Sequence, residues 1–165
     1  MPTARRSRMI PAPQQELWEL IRDPHHLPRW WPRVTRVEDV EDGAFTEVMR
    51  TRKGKLVRAD FNVVVCDDAE HSLTWAQRVE GTPFARLLKS AETEVRLTST
   101  TAVAAQSRGG AEEPGASGPA TAVTIELRQV LNGMSPRFGG FMVRRAARAT
   151  VEEALDGLER IGGRA

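Results

Sequence analysis

Residues 135–162 are predicted to form the one long helix of the chain, and from Val34 the period before it is that of strands, broken by turns and a loop. At steps of about 100° per residue, Val143, Ala147, Val151, Ala154, Leu155, Leu158 and Ile161 fall on one stripe. Arg145, Arg148, Glu152, Asp156 and Glu159 fall opposite. A helix with one apolar stripe has to bury it against another element, and here the partner has to be a sheet. Pro136 suits the first turn and Gly162-Gly163 the end. Phe138, Phe141 and Met142 lie off the stripe of a regular helix, and Gly139-Gly140 would allow that turn to be re-aimed, so their orientation stays open.

The sheet is punctuated by turn signals. Asp42-Gly43 separates two β-rich runs, Lys53-Gly54 precedes the long run Leu56 to Cys66, and Asp67, Asp68 and Ala69 make a third turn. From Leu73 to Val79 the alternation is clean. Leu73, Trp75, Gln77 and Val79 face one way, and Thr74, Ala76, Arg78 and Glu80 the other, as in a sheet with one dry and one wet face. A further strand is predicted over Thr93–Ala104, with Val95, Leu97, Thr101 and Val103 on one face. The last strand carries Val123, Ile125, Leu127 and Gln129. Between them, residues 107–120 (SRGGAEEPGASGPA) are of low complexity and read as a mobile hairpin loop.

The front of the chain has a different period. Residues 3–10 suit a short strand, and Pro11 and Pro13 lead into a helix over Gln14–Arg22 with Leu17, Trp18 and Ile21 at helical spacing. Asp23-Pro24 stops it, and the prolines of DPHHLPRWWP leave room for little more than one helical turn. The predicted class is α+β, in one domain over residues 1–165.

Composition excludes more than it assigns. Lys+Arg is 24 against Asp+Glu 22, with both signs spread along the chain, so a pI of 9.2 gives no reason to expect nucleic acid. Hydrophobic residues at 40% exclude general disorder. Cys66 is the only cysteine, which leaves no disulfide and no cysteine metal site; within Val63, Val64, Val65, Cys66 it reads as a small core hydrophobe. Arg5, Arg6 and Arg8 are followed by no apolar signal segment, and no stretch has the length of a membrane span, so a cytoplasmic location is expected.

The inner stripe of the long helix is graded. Val143, Ala147, Val151 and Ala154 are small, whereas Leu155, Leu158 and Ile161 are large. Small residues facing a sheet leave space. A closed core at the C-terminal end and a cavity under the first half follow, unless Trp75 and Phe61 fill the gap.

In its order of elements the chain resembles the START-like, or SRPBCC, superfamily, particularly its polyketide cyclase/dehydrase and lipid-transport branch. The resemblance is carried by the proline-led helix PAPQQELWELIRD, the segment DPHHLPRWWP and the strand-to-turn VEGTPFARLL, and it covers nearly the whole chain apart from residues 107–120. It implies a helix-grip fold, like that of the birch pollen allergen: a curved antiparallel β-sheet wrapped around one long C-terminal α-helix, with two short helices after the first strand. It also implies a pocket between sheet and helix for lipids, polyketides or aromatic molecules. At matching positions the lining would comprise Trp30, Trp31, Met49, Phe61, Val63, Trp75, Gln77, Phe84, Leu88, Val95, Ala147 and Val151. Trp30 and Trp31 would stand near its mouth or pack the short helices on the sheet.

Chemistry is less marked. His25, His26 and His71 lack carboxylates at ligand spacing, so no metal is expected, and no phosphate-cradling glycine motif or nucleophile elbow implies a cofactor. The chain has no Tyr; the polar candidates for a pocket are Gln77, Gln129, Asp60, Glu47, Arg144 and Arg145, with Gln77 the best placed. The arginines read as surface residues that snorkel. The sequence therefore points to binding or transport of a small hydrophobic molecule by a monomer or weak homodimer, with no nucleic acid and no integral membrane segment. A polyketide cyclase/dehydratase and a protein-interaction module for a ribosome or chaperone-type partner are the alternatives.

Overall fold

Seven strands form a single antiparallel sheet in the order β1-β7-β6-β5-β4-β3-β2. They are β1 (Ala4–Ile10), β2 (Val34–Glu41), β3 (Ala44–Arg50), β4 (Leu56–Asp67), β5 (Ser72–Gln77), β6 (Leu88–Ser99) and β7 (Thr121–Leu131). Helices α1 (Gln14–Arg22) and α2 (Leu27–Trp30) join β1 to β2, which lie at opposite edges, and α3 (Gly139–Gly162) follows β7. These elements come from a computed structural model, which describes residues 3–100, 118–133 and 139–164. The architecture is the curved antiparallel sheet with a long C-terminal helix that the family resemblance implies.

Local chemistry explains most boundaries. Asp42 (φ 49°) and Gly43 (φ 78°) are both left-handed, the geometry a two-residue hairpin needs to match strand twist. Asp67 accepts the backbone N–H groups of Ala69 and Glu70 at 3.0 Å and closes the β4–β5 turn. Asp23 ends α1 and accepts the His25 N–H at 3.0 Å, capping the 3-10 turn Pro24–His26.

Three expectations need correction. β6 starts at Leu88, ahead of the predicted Thr93, because Leu88 pairs with Leu131 and an irregularity before Ser90 interrupts the alternation. β5 ends at Gln77, although Val79 is still buried. Cys66 is exposed: the β4–β5 register shifts between Val63 and Val65, and Val64 and Val65 are exposed with it. The predicted positions Thr101 and Val103, most of the loop at 107–120, and Pro136 and Phe138 lie outside the described residues.

The core sits beneath the C-terminal half of α3. Ala147, Val151, Ala154, Leu155 and Leu158 are buried, as the stripe predicts, with Ile10, Trp18, Val95, Val123 and Ile125 in the same cluster. Helix α3 packs chiefly on β1, β7 and α2. Arg8 on β1 fixes its outer side, bonding Glu152 at 2.8 Å and Glu159 at 3.0 Å and pairing with Asp156. The N-terminal half of α3 and the inner faces of β3 to β7 enclose a gap between them.

Candidate functional site

That gap is a cavity of about 650 Å³, inside the range typical of small-molecule sites. Its sheet wall carries Glu47 and Met49 from β3, Phe61 from β4, Trp75 and Gln77 from β5, Ala91 and Thr93 from β6, and Leu127, Gln129 and Leu131 from β7. The helix wall is small, with Val143, Ala146, Ala147 and Thr150, so the space predicted from the graded stripe is present. Trp75 and Phe61 line the cavity rather than fill it. Leu87 and Met142 also contribute and are 56% and 72% exposed, so the cavity reaches solvent between the 3-10 turn Pro83–Arg86 and the start of α3.

Of the predicted lining residues, Trp31, Met49, Phe61, Trp75, Gln77, Phe84, Leu88 and Ala147 are brought together on this wall. Trp30, Val63, Val95 and Val151 are not part of it. Trp30, Val95 and Val151 are in the closed core, and half-buried Val63 packs against that core from β4. Trp30 and Trp31 are both buried, so the exposed rim belongs to Leu87 and Met142 instead. Trp31 and Trp75 meet edge-to-face at 5.4 Å, and Trp30 backs them at 5.4 and 6.4 Å. This block of indoles is one stiff end of the cavity.

The polar groups are few. Strand pairing sorts them: Glu47 lies opposite Ala59, and Thr46 opposite Asp60. Glu47 therefore faces inward, while Asp60 is exposed and accepts the Thr46 hydroxyl at 2.6 Å. Glu47 is only 1% exposed, and its Oε1 finds no hydrogen-bond partner; neither does Gln77 Nε2. Burial alone pushes the Glu47 carboxyl up to about 8, so it is neutral at pH 7. No other acidic or basic side chain stands on the cavity wall among the described residues. Arg144 and Arg145 are exposed on α3.

Glu47 was one acid among several on sequence grounds. Its distinguishing signal is the alternation Phe45, Glu47, Met49, which places a carboxyl on a face otherwise reserved for apolar side chains. Ala91, Leu127, Leu131 and Thr150 were not foreseen, because which inward residues border a gap depends on where the helix stands. The described residues hold no cluster of three or more metal-ligating side chains, and no described helix is long and apolar enough to cross a membrane.

Comparison with known proteins agrees with this fold. The family described as polyketide cyclase / dehydrase and lipid transport matches residues 1–161. A START superfamily protein from Mycobacterium smegmatis superposes with a TM-score of 0.69 at 12% identity, over 98% of this chain and 97% of that one. The protein XoxI from Bacillus cereus gives 0.68 at 14% identity, over 96% and 94%. The di-domain ARO/CYC BexL from the BE-7585A biosynthetic pathway gives 0.70 at 18% identity, over 95% of this chain and 45% of that one. At these identities the likeness is one of fold. No curated protein sequence matches the chain.

Proposed function

Since the chain belongs to the polyketide cyclase/dehydrase and lipid transport family, we propose that it binds a small, largely apolar molecule in the cavity between sheet and helix and carries it. The observation that supports this is the cavity itself: about 650 Å³ walled by indole, phenyl and aliphatic groups, with a rim open to solvent. Burying roughly 300 Å² of apolar ligand surface is worth about 7 kcal/mol at about 25 cal/mol per Å². Association costs several kcal/mol of that. Affinity from shape alone is therefore modest, and selectivity rests on the few polar groups.

The test is native mass spectrometry of the purified protein before and after organic extraction, with titration by the uncharged dye Nile red. A mass lost on extraction, or saturable dye binding, supports the reading. A clean apo mass together with no dye binding would overturn it.

A second reading, cyclisation or dehydration of an oxygenated aromatic or polyketide precursor, is favoured by one observation: an unpartnered carboxyl, neutral at pH 7, on the cavity wall. Such a group can lend a proton to a carbonyl or leaving hydroxyl. Turnover of a polyketide-type substrate that is lost in Glu47→Gln with its binding retained would select this reading over carriage alone.

A further inference from the structure

We propose that Glu47 selects the ligand by charge: the cavity takes an uncharged molecule bearing a carbonyl or hydroxyl oxygen that hydrogen-bonds the Glu47 carboxyl, and it refuses carboxylates. The inference rests on the cavity being a binding site and names the class of molecule it accepts.

The argument begins with what surrounds the group. In register, Glu47 lies between Val37 of β2 and Ala59 of β4, and its same-face neighbours along β3 are Phe45 and Met49. The polar groups elsewhere on the wall, Gln77, Thr93, Gln129 and Thr150, are all uncharged. A ligand carboxylate would thus be desolvated without a described cation to meet it, a cost apolar contact cannot offset. A neutral oxygen meets a different surface. It can accept the Glu47 O–H, and a second can accept the Gln77 amide, whose Nε2 has no partner in the protein. A buried orphan donor is costly, so a ligand that satisfies it gains in selectivity over one that does not.

Desolvation by burial, with no neighbouring charge contributing, is what keeps this carboxyl in its donor form near neutral pH. As pH rises past about 8 the donor is lost and the wall becomes anionic. Binding of a neutral oxygenated ligand therefore weakens with rising pH.

The experiment is displacement of Nile red at pH 7 by a matched naphthalene series: 2-acetylnaphthalene, 2-ethylnaphthalene, 2-naphthoate and 2-naphthylmethylammonium. The ketone is expected to bind several-fold more tightly than the hydrocarbon and about tenfold or more beyond the carboxylate. Glu47→Leu should erase the ketone's advantage over the hydrocarbon. Glu47→Gln, which keeps a donor, should retain it and lose its dependence on pH between 7 and 9. Melting curves of both variants show whether each is folded. Naphthoate binding as well as the ketone, or an undiminished ketone preference in folded Glu47→Leu, would overturn the inference. Tightest binding by the ammonium compound would overturn it too, with Glu47 then acting as a counter-ion. Equal binding of all four overturns charge selection but leaves the binding reading standing. Failure of every compound, Nile red included, overturns both.

Discussion

A β-carbon added to Gly157 on α3 would stand 2.4 Å from the backbone carbonyl oxygen of Trp30. The long helix rests directly on the peptide of α2 at this point, and the contact sets how far its C-terminal half descends onto the core. Glycine in a helix interior normally costs about 1 kcal/mol relative to alanine. Here the sign should reverse.

Gly157→Ala is therefore predicted to destabilise by about 1–3 kcal/mol or more, since backbone rather than a flexible side chain is in the way. Gly140 is the control. It lies near the start of the same helix, and an added β-carbon there meets only the far end of Arg144 at 3.6 Å. Gly140→Ala should gain a few tenths to about 1 kcal/mol. Urea denaturation of the two variants checks both; equal effects would remove the Gly157–Trp30 contact as an explanation.

Glu47 makes stability depend on pH in a direction opposite to that of an ordinary salt-bridged carboxylate. Its folded value of about 8 lies above the ordinary 4.5, so the folded state holds a proton that the unfolded chain releases. Stability should fall as pH rises from about 4.5 to 8 and then level, by an amount on the order of 4 kcal/mol. Glu47→Gln removes this component. At pH 8 it should melt roughly 8–16 °C above the parent, with little difference at pH 4.5. Parallel melting profiles across that range would show that Glu47 is not a buried acid.

Trp75 touches the indoles of Trp30 and Trp31 and the cavity. Trp75→Ala should cost about 3–5 kcal/mol of stability and most of the Nile red affinity. Trp75→Phe preserves an aromatic wall and should keep most of both. Dye affinity unchanged in folded Trp75→Ala would exclude that wall from binding.

Arg8 binds three carboxylates on α3, but those partners are about half exposed, so solvent screens the network. Arg8→Met should lose about 1 kcal/mol in low salt and less at 0.5 M NaCl, as Debye screening requires. A loss independent of salt would point to packing of the Arg8 stem instead.

Local rules reach as far as local structure. The helix Gln14–Arg22 forms where proline and apolar spacing put it, Asp42-Gly43 turns because both residues tolerate positive φ, and the buried stripe of α3 follows the 3.6-residue period. These depend on residues a few positions apart, and so does the order of periods that marks an α+β class. Register is different. Glu47 and Asp60 are both acids within β-runs, and although Phe45 and Met49 mark the face that Glu47 shares, alternation alone does not say which face of the sheet lies inward. Pairing Glu47 with Ala59 and Thr46 with Asp60 decides it, because a shift of one residue in a strand exchanges its faces. The same holds for Trp30 and Trp31, of which only the second lines the cavity. The sequence determined that a helix with a small N-terminal face would lie over a sheet. Only the tertiary structure decided that Gly157 packs it on α2 and Arg8 ties it to β1, leaving a space against β3 to β7 into which a single carboxyl faces.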